Sequence, residues 1–222
     1  MLAYPVSDKP IDYTKPTFIQ PKLDGVRCLI QAEFTNVFKD LKVKAYSRTG
    51  KEWKNINHIL QSLVPFFNKY PDVILDGELY NHVLRDDFEK IISLVRKQKP
   101  TREDMSEARQ LVQFHCYDIV DETLPFSQRN DFILKAVYNN YDYVKVLPCI
   151  TVNSHNFAIM QHKINLKAGF EGSIVRTNDT YQCKRSHALR KFKDFSDAEA
   201  TIVGYLDGKG KRTGTLGKFI MI

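Results

Sequence analysis

Within Gln20-Pro-Lys-Leu-Asp-Gly-Val-Arg-Cys-Leu29, the spacing Lys-x-Asp-Gly-x-Arg sets an amine, Lys22, beside a carboxylate, Asp24, a turn glycine, Gly25, and a second cation, Arg27. An amine attacks phosphorus only when neutral, and the unperturbed lysine pKa lies near 10.4. Neighbouring cations, burial and a bound metal each favour the neutral form. Arg27 is five residues away, and Lys191 and Lys193 stand late in the chain. Gly25 permits a tight turn through which the backbone can approach a ligand, so that Lys22 and Arg27 converge on one phosphate-bearing molecule while Asp24 orients the amine. Taken alone, the segment reads better as a surface hairpin turn between Phe18-Ile19 and the apolar run from Val26 to Ile30.

Five further segments follow in order: Tyr46-Ser-Arg-Thr-Gly50, Leu75-Asp-Gly-Glu-Leu79, Phe114-His-Cys-Tyr-Asp-Ile119, Phe170-Glu-Gly-Ser-Ile-Val-Arg176 and Leu189-Arg-Lys-Phe-Lys193. Together with the lysine segment they resemble the motif series of the covalent nucleotidyltransferases: ATP-dependent DNA ligases, RNA ligases and messenger-RNA capping enzymes. Asp197-Ala-Glu-Ala-Thr-Ile-Val203, directly after the last motif, is most similar to the small viral and phage ATP-dependent DNA ligases. The resemblance runs from about residue 17 to residue 206.

The resemblance assigns roles residue by residue. Lys22 becomes the nucleophile that takes up the nucleotide. Gln20, two residues earlier, falls at the base-recognising position, where an amide offers both a donor and an acceptor. Tyr117 stands where the family stacks an aromatic ring on adenine, usually phenylalanine, and here carries an additional hydroxyl. Glu78 would accept from ribose hydroxyls or hold a metal, whereas by composition alone it is a strand-end glutamate facing water. Lys191 and Lys193 flank Phe192, so on a strand both amines face one way and present two charges to the α-phosphate. Asp24 and Arg27 complete the nucleotide-binding set. Arg48 and Arg176 are expected on nucleic acid, where a planar fork of donors suits oxyanions. Glu171 is expected to bind magnesium, a hard cation that prefers oxygen ligands. Outside the series these residues would be ordinary turn, core or solvated side chains.

The composition is compatible with this and would not have led to it. A length of 222 residues with 43% hydrophobic content supports a proper core in one domain or two small ones. The net charge of +7 and a pI near 9.1 point to an acidic partner. Basic residues cluster at Arg96-Lys97, Lys99 and Arg102, at Lys184-Arg185 with Arg190, Lys191 and Lys193, and at Lys209, Lys211 and Arg212. Some of these are expected to neutralise DNA phosphates, with affinity falling as salt rises. Cysteines 28, 116, 149 and 183 form no Cys-x-x-Cys pair, which argues against a zinc site of the usual spacing and fits reduced thiols. Neither a signal peptide nor a membrane-length apolar run is evident, so a cytoplasmic protein is expected, in the host cytoplasm if viral.

The elements that must position these residues read as strands near 17–22, 26–34, 41–47, 72–80, 111–119, 143–150, 173–176 and 198–206. Helices are expected over Ile56 to Tyr70 despite Pro65, Asp86 to Lys97, Phe126 to Asn140, and Ser154 to Ala168 with Ser154 as N-cap. This order predicts an α+β fold. The resemblance makes it a nucleotidyltransferase (adenylation) domain, residues 1–203, of two antiparallel sheets with flanking helices. Residues 204–222 then begin an OB-fold, and the chain is expected to be a truncated piece, because two strands cannot close such a barrel.

The function implied is an ATP-dependent DNA ligase that uses ATP and magnesium, acts as a monomer and seals nicked duplex DNA through a lysyl-AMP intermediate, with no membrane partner. An RNA ligase or a GTP-dependent capping enzyme shares the nucleophile motif, and a basic DNA-binding module without catalysis is the alternative from another class.

Overall fold

In this computed structural model, which describes residues 1–35, 40–193 and 199–222, the runs rich in β-branched and aromatic residues form two five-stranded sheets. The strands are β1 (Leu2–Pro5), β2 (Thr17–Lys22), β3 (Val26–Thr35), β4 (Asp40–Tyr46), β5 (Leu75–Tyr80), β6 (Gln113–Ile119), β7 (Val144–Val146), β8 (Ile150–Val152), β9 (Gly172–Thr177) and β10 (Arg185–Phe192). The first sheet has the order β1-β10-β9-β2-β8 and the second β4-β3-β5-β6-β7. Both are antiparallel except at one edge each, where β1 runs parallel to β10 and β7 parallel to β6. These parallel edges depart from the purely antiparallel sheets expected. The single strand expected over 143–150 is instead two short ones, β7 and β8, that serve different sheets. The strands β1 and β10 and the helix α4 below were not among the elements expected.

The helices α1 (Asn57–Ser62), α2 (Val64–Lys69), α3 (Phe88–Val95) and α4 (Arg102–Leu111) pack on the second sheet. Their buried side chains Ile59, Phe66, Phe67, Ile91, Leu94 and Ala108 join Ile30, Leu75 and Phe114 of the sheet in the main core. Each large side chain so buried stabilises the fold by about 1.5–3 kcal/mol. Pro65 divides the stripe over Ile56 to Tyr70 into α1 and α2: it has no N–H to give, which costs nothing in the first turn of α2 where it sits. The helix α4 begins at a capping box in which Thr101 and Asp104 satisfy each other's backbone N–H groups. Helix α5 (Phe126–Ala136) lies against β6, and α6 (His155–Lys167) covers β2 and β9, its N-cap Ser154 accepting from Phe157 N. A smaller core of Ile19, Val152, Ala158 and Val175 fills the space beneath α6.

The strands β11 (Ile202–Asp207) and β12 (Leu216–Met221) pair only with each other, and Thr201 and Ile222 close the open end of the hairpin by exchanging backbone hydrogen bonds. The hairpin thus starts at Thr201, and a boundary between residues 203 and 204 would cut β11 in two. Asp197 and Ala198 lie outside the described residues.

Candidate active site

The two sheets face each other across a cleft, and most of the site residues singled out from sequence line it. Lys22 ends β2, pairing with Gly172 of β9, and the Glu171 N–H donates to the Lys22 carbonyl at 3.1 Å. This backbone tie brings the Glu171 carboxylate to the Lys22 amine. Glu171 accepts from both Lys22 Nζ and Lys193 Nζ, one on each oxygen, so one carboxylate holds two cations from distant parts of the sequence. Burial alone would raise the Glu171 pKa, but the hydrogen bonds from Lys193 and Lys22 outweigh it and hold the carboxyl below its ordinary range. Asp24, expected to orient the amine, is exposed, and Glu171 does this instead. The physical reason is the turn: with Lys22 and Asp24 at opposite ends of a strand exit, the aspartate leaves the sheet while the lysine stays in it.

Gly25 has a steric role in that turn. A Cβ there would lie 2.6 Å from the Leu79 carbonyl oxygen and 2.7 Å from Glu78 Cγ, so only glycine lets the turn press against β5. Gly172, at φ 152°, would set a Cβ 2.3 Å from the Phe192 carbonyl oxygen, and its absence lets β9 and β10 approach where Glu171 and Lys193 meet.

In the second sheet Arg27 of β3 lies directly opposite Glu78 of β5. Its guanidinium reaches along β5 to Asp76, with Nε and Nη2 on the two carboxylate oxygens at 3.0 and 2.9 Å. Glu78, two residues on and therefore on the same face, has no such partner among the described residues. Burial pushes its pKa up to about 8, and the Lys22 charge only partly offsets this. The carboxyl is therefore mostly protonated at neutral pH.

Tyr117 sits in a β-bulge: Asp76 pairs with Asp118 and Gly77 with Cys116, leaving Tyr117 the extra residue. A bulge re-aims its side chain, and the ring turns into the cleft. Gln20 is buried at its other side, its Oε1 accepting from Arg176 Nε at 2.7 Å and its Nε2 near the Tyr117 carbonyl at 3.5 Å. Arg176, expected on nucleic acid, is 4% exposed. Its Nη1 donates to Asp118 Oδ2 at 2.7 Å and the guanidinium lies over the Tyr117 ring. Its burial and its partners make Arg176 a wall residue of the pocket. Asp118 also takes Arg129 through Nε and Nη2 at 2.7 and 3.2 Å, which makes a buried ion triad.

Two cavities result. A narrow, mainly apolar slot runs between Tyr117, Ile174, Leu147 and Leu189 with Gln20 and Arg176 at its end. A wide cleft of about 580 Å³ is lined by Arg27, Arg48, Lys51 and Arg96. Lys22, Glu78 and Tyr117 line both, so the amine stands where they meet. The slot suits a planar base and the cleft suits phosphates. Arg48 is exposed in the turn after β4. Lys191 faces as Lys193 does, with Phe192 turned to the opposite side, where it stacks on His162 at 4.0 Å.

Sequence reasoning missed Asp76, Asp118, Arg129, Tyr181 and Arg96. Asp76 was within reach, because period two puts it on the face of Glu78. Arg96 stood in a basic cluster with nothing to separate it from its neighbours. Tyr181, whose hydroxyl bonds to Asp76 and Arg27, left no local signal.

Comparison with known proteins bears on the family and the fold. A curated DNA ligase of Haemophilus influenzae is 24% identical over 156 residues, 68% of this chain and 54% of that protein. The chain thus spans about half the length of the curated relative it matches. Among the solved structures that share the fold are two of DNA ligases. One, from work on DNA binding by Lig E DNA ligases, is 22% identical with a TM-score of 0.72, covering all of this chain and 78% of its own. The other, a Chlorella virus DNA ligase-adenylate, is 23% identical with a TM-score of 0.59, covering all of this chain and 82% of its own. The family model described as the ATP dependent DNA ligase domain matches residues 1–193, from β1 through the last of the paired lysines, and the chain belongs to that family.

Proposed function

We propose that this chain is an ATP-dependent DNA ligase that seals nicks through a lysyl-AMP intermediate. The observation that carries the reading is the position of Lys22, at the junction of a base-sized apolar slot and a basic cleft, with its amine held on the carboxylate that also holds Lys193.

The base enters the slot against Tyr117 with its edge toward Gln20, and the ribose lies by Glu78. The α-phosphate then reaches Lys22, where its oxygens compete with Glu171 for Lys193. Lys22, which donates to Glu171 in the resting site, first loses a proton to solvent; the neutral amine attacks the α-phosphorus, the N–P bond forms as the nitrogen loses a second proton to solvent, and pyrophosphate departs with the electrons of the broken P–O bond. Arg27, Lys191 and Lys193 stabilise the charge that builds on the phosphoryl oxygens. In the second step an oxygen of the 5′-phosphate at a nick attacks the adenylate phosphorus and frees Lys22. In the third the adjacent 3′-hydroxyl attacks the 5′-phosphorus and AMP leaves. Arg48 and the basic lining of the wide cleft hold the DNA backbone.

The donors suit magnesium. This ion typically combines one or two carboxylates with substrate phosphates and water: Glu171 would supply one near Lys22 and Glu78 a second on losing its proton, with no ready-made cage of three or more His, Cys, Asp or Glu among the described residues. Bound there, it would supply neutralisation of phosphate charge. The β11–β12 hairpin is the beginning of an OB-fold in this reading: Ile202, Tyr205, Phe219 and Ile220 are exposed on it. No helix among the described residues is long and apolar enough to cross a membrane; we assign a monomer working in the cytoplasm.

The test is sealing of a singly nicked, 5′-phosphorylated duplex with magnesium and either ATP or GTP. Sealing with ATP alone is expected. Sealing of a nicked RNA duplex in preference to DNA, or use of GTP, would overturn the assignment.

A further inference from the structure

The two sheets are tied across the cleft by several contacts. At the slot end the tie is ionic, Arg176 of β9 to Asp118 of β6 at 2.7 Å. Away from the slot, where the backbone N–H of Tyr181 donates to the Asp121 carbonyl at 3.2 Å, the side-chain junction centres on one phenol. Tyr181 lies in the connection between β9 and β10, which belong to the first sheet, and is 3% exposed. Its hydroxyl donates to Asp76 Oδ2 at 2.8 Å and accepts from Arg27 Nη2 at 2.8 Å, both in the second sheet. It accepts also from the Met1 nitrogen at 2.9 Å. A hydroxyl has one hydrogen and two lone pairs to offer, so this one is fully used. Arg27 is fixed in turn: the bidentate pair to Asp76 and a bond from Nη1 to the Met1 carbonyl at 2.7 Å leave it one orientation.

We infer that Tyr181 is a positioning residue for the adenylation step, its hydroxyl setting the spacing between the sheet that carries Lys22 and Lys193 and the sheet that carries Arg27 and Glu78. The inference rests on the proposed function. In-line attack needs the amine, the α-phosphorus and the charge-stabilising cations in register, and a displacement of about 1 Å can cost on the order of a hundredfold in rate. The ring of Tyr181 also packs with Ala188 and Leu189, so phenylalanine keeps the packing and deletes only the junction.

The experiment is single-turnover formation of the lysyl-AMP adduct over a range of ATP concentrations, in the unaltered chain, in Tyr181→Phe, in Asp76→Asn and in the double variant, with thermal melts of each. Tyr181→Phe is expected to lower the limiting rate by about ten- to a hundredfold, with the half-saturating ATP concentration changed less than about threefold, since the ring and the slot are intact. The double variant is expected to be no slower than the slower single one, because both break one junction. An unchanged limiting rate, a change confined to half-saturation, or multiplied rate losses in the double variant would each overturn the inference. If Tyr181→Phe does not fold, Asp76→Asn decides by the same split. Failure of the unaltered chain to form any adduct would instead refute the proposed function itself.

Discussion

Replacing Glu78 by glutamine tests the electrostatics of the cleft in a way that activity does not. The carboxyl has an ordinary pKa of 4.5 and is pushed to about 8 by burial. Between those values the native chain retains a proton that the unfolded chain has lost, so unfolding releases it and stability falls as pH rises. This contribution is fully present below pH 4.5 and declines until about pH 8, above which both states are ionised. Integrating from pH 5 to pH 7 with these two values gives a loss of about 2–3 kcal/mol. The glutamine side chain does not titrate, so the stability of Glu78→Gln minus that of the unaltered chain should grow by about this amount over the same interval. Urea unfolding at pH 5, 6 and 7, followed by the fluorescence of Trp53, the single tryptophan, measures the difference directly. A difference that stays constant from pH 5 to 7 would refute the reasoning, as it would mean that Glu78 is ionised in the native state.

The buried triad makes Asp118→Ala costly: Arg129 and Arg176 lose their shared carboxylate, and urea unfolding should show a destabilisation of about 3–5 kcal/mol, against less than about 1 kcal/mol for a surface site. Gly25→Ala forces a carbon within 2.6 Å of a backbone oxygen, so the Lys22 turn must move away from β5; adduct formation should fall at least about tenfold, and a rate within about twofold of the unaltered chain would contradict the steric account. Arg48→Ala should weaken binding to nicked duplex and reduce the slope of log K against log salt by about 0.9, and an unchanged slope would remove Arg48 from the phosphate contacts.

The sequence made the site more legible than the fold that holds it. Lys22, Glu78, Tyr117, Glu171 and Lys193 were each named from short segments, and the structure gathers them around one cleft because every segment ends a strand or begins one. Their immediate partners were less accessible. The pairing of Lys22 with Glu171 rather than Asp24 depends on the β2–β9 register, which no local pattern encodes. Arg176 looked like a surface arginine because its neutralising partner, Asp118, is 58 residues away in sequence. Period-two alternation located most strands but could not show that 143–150 divides between two sheets, nor that Leu2–Pro5 forms an edge strand, since four residues carry too little periodicity to read. The single helix expected over Ile56 to Tyr70 despite Pro65 is two, α1 and α2, because whether a proline is carried within a helix or begins a new one is decided by packing on the second sheet.

The most direct test of the central claim is the intact mass of the chain after incubation with magnesium and ATP, GTP or NAD in turn, alongside Lys22→Ala. An added AMP from ATP alone, mapped to Lys22 and absent in the variant, is the predicted result; an adduct that persists in full on Lys22→Ala would contradict it.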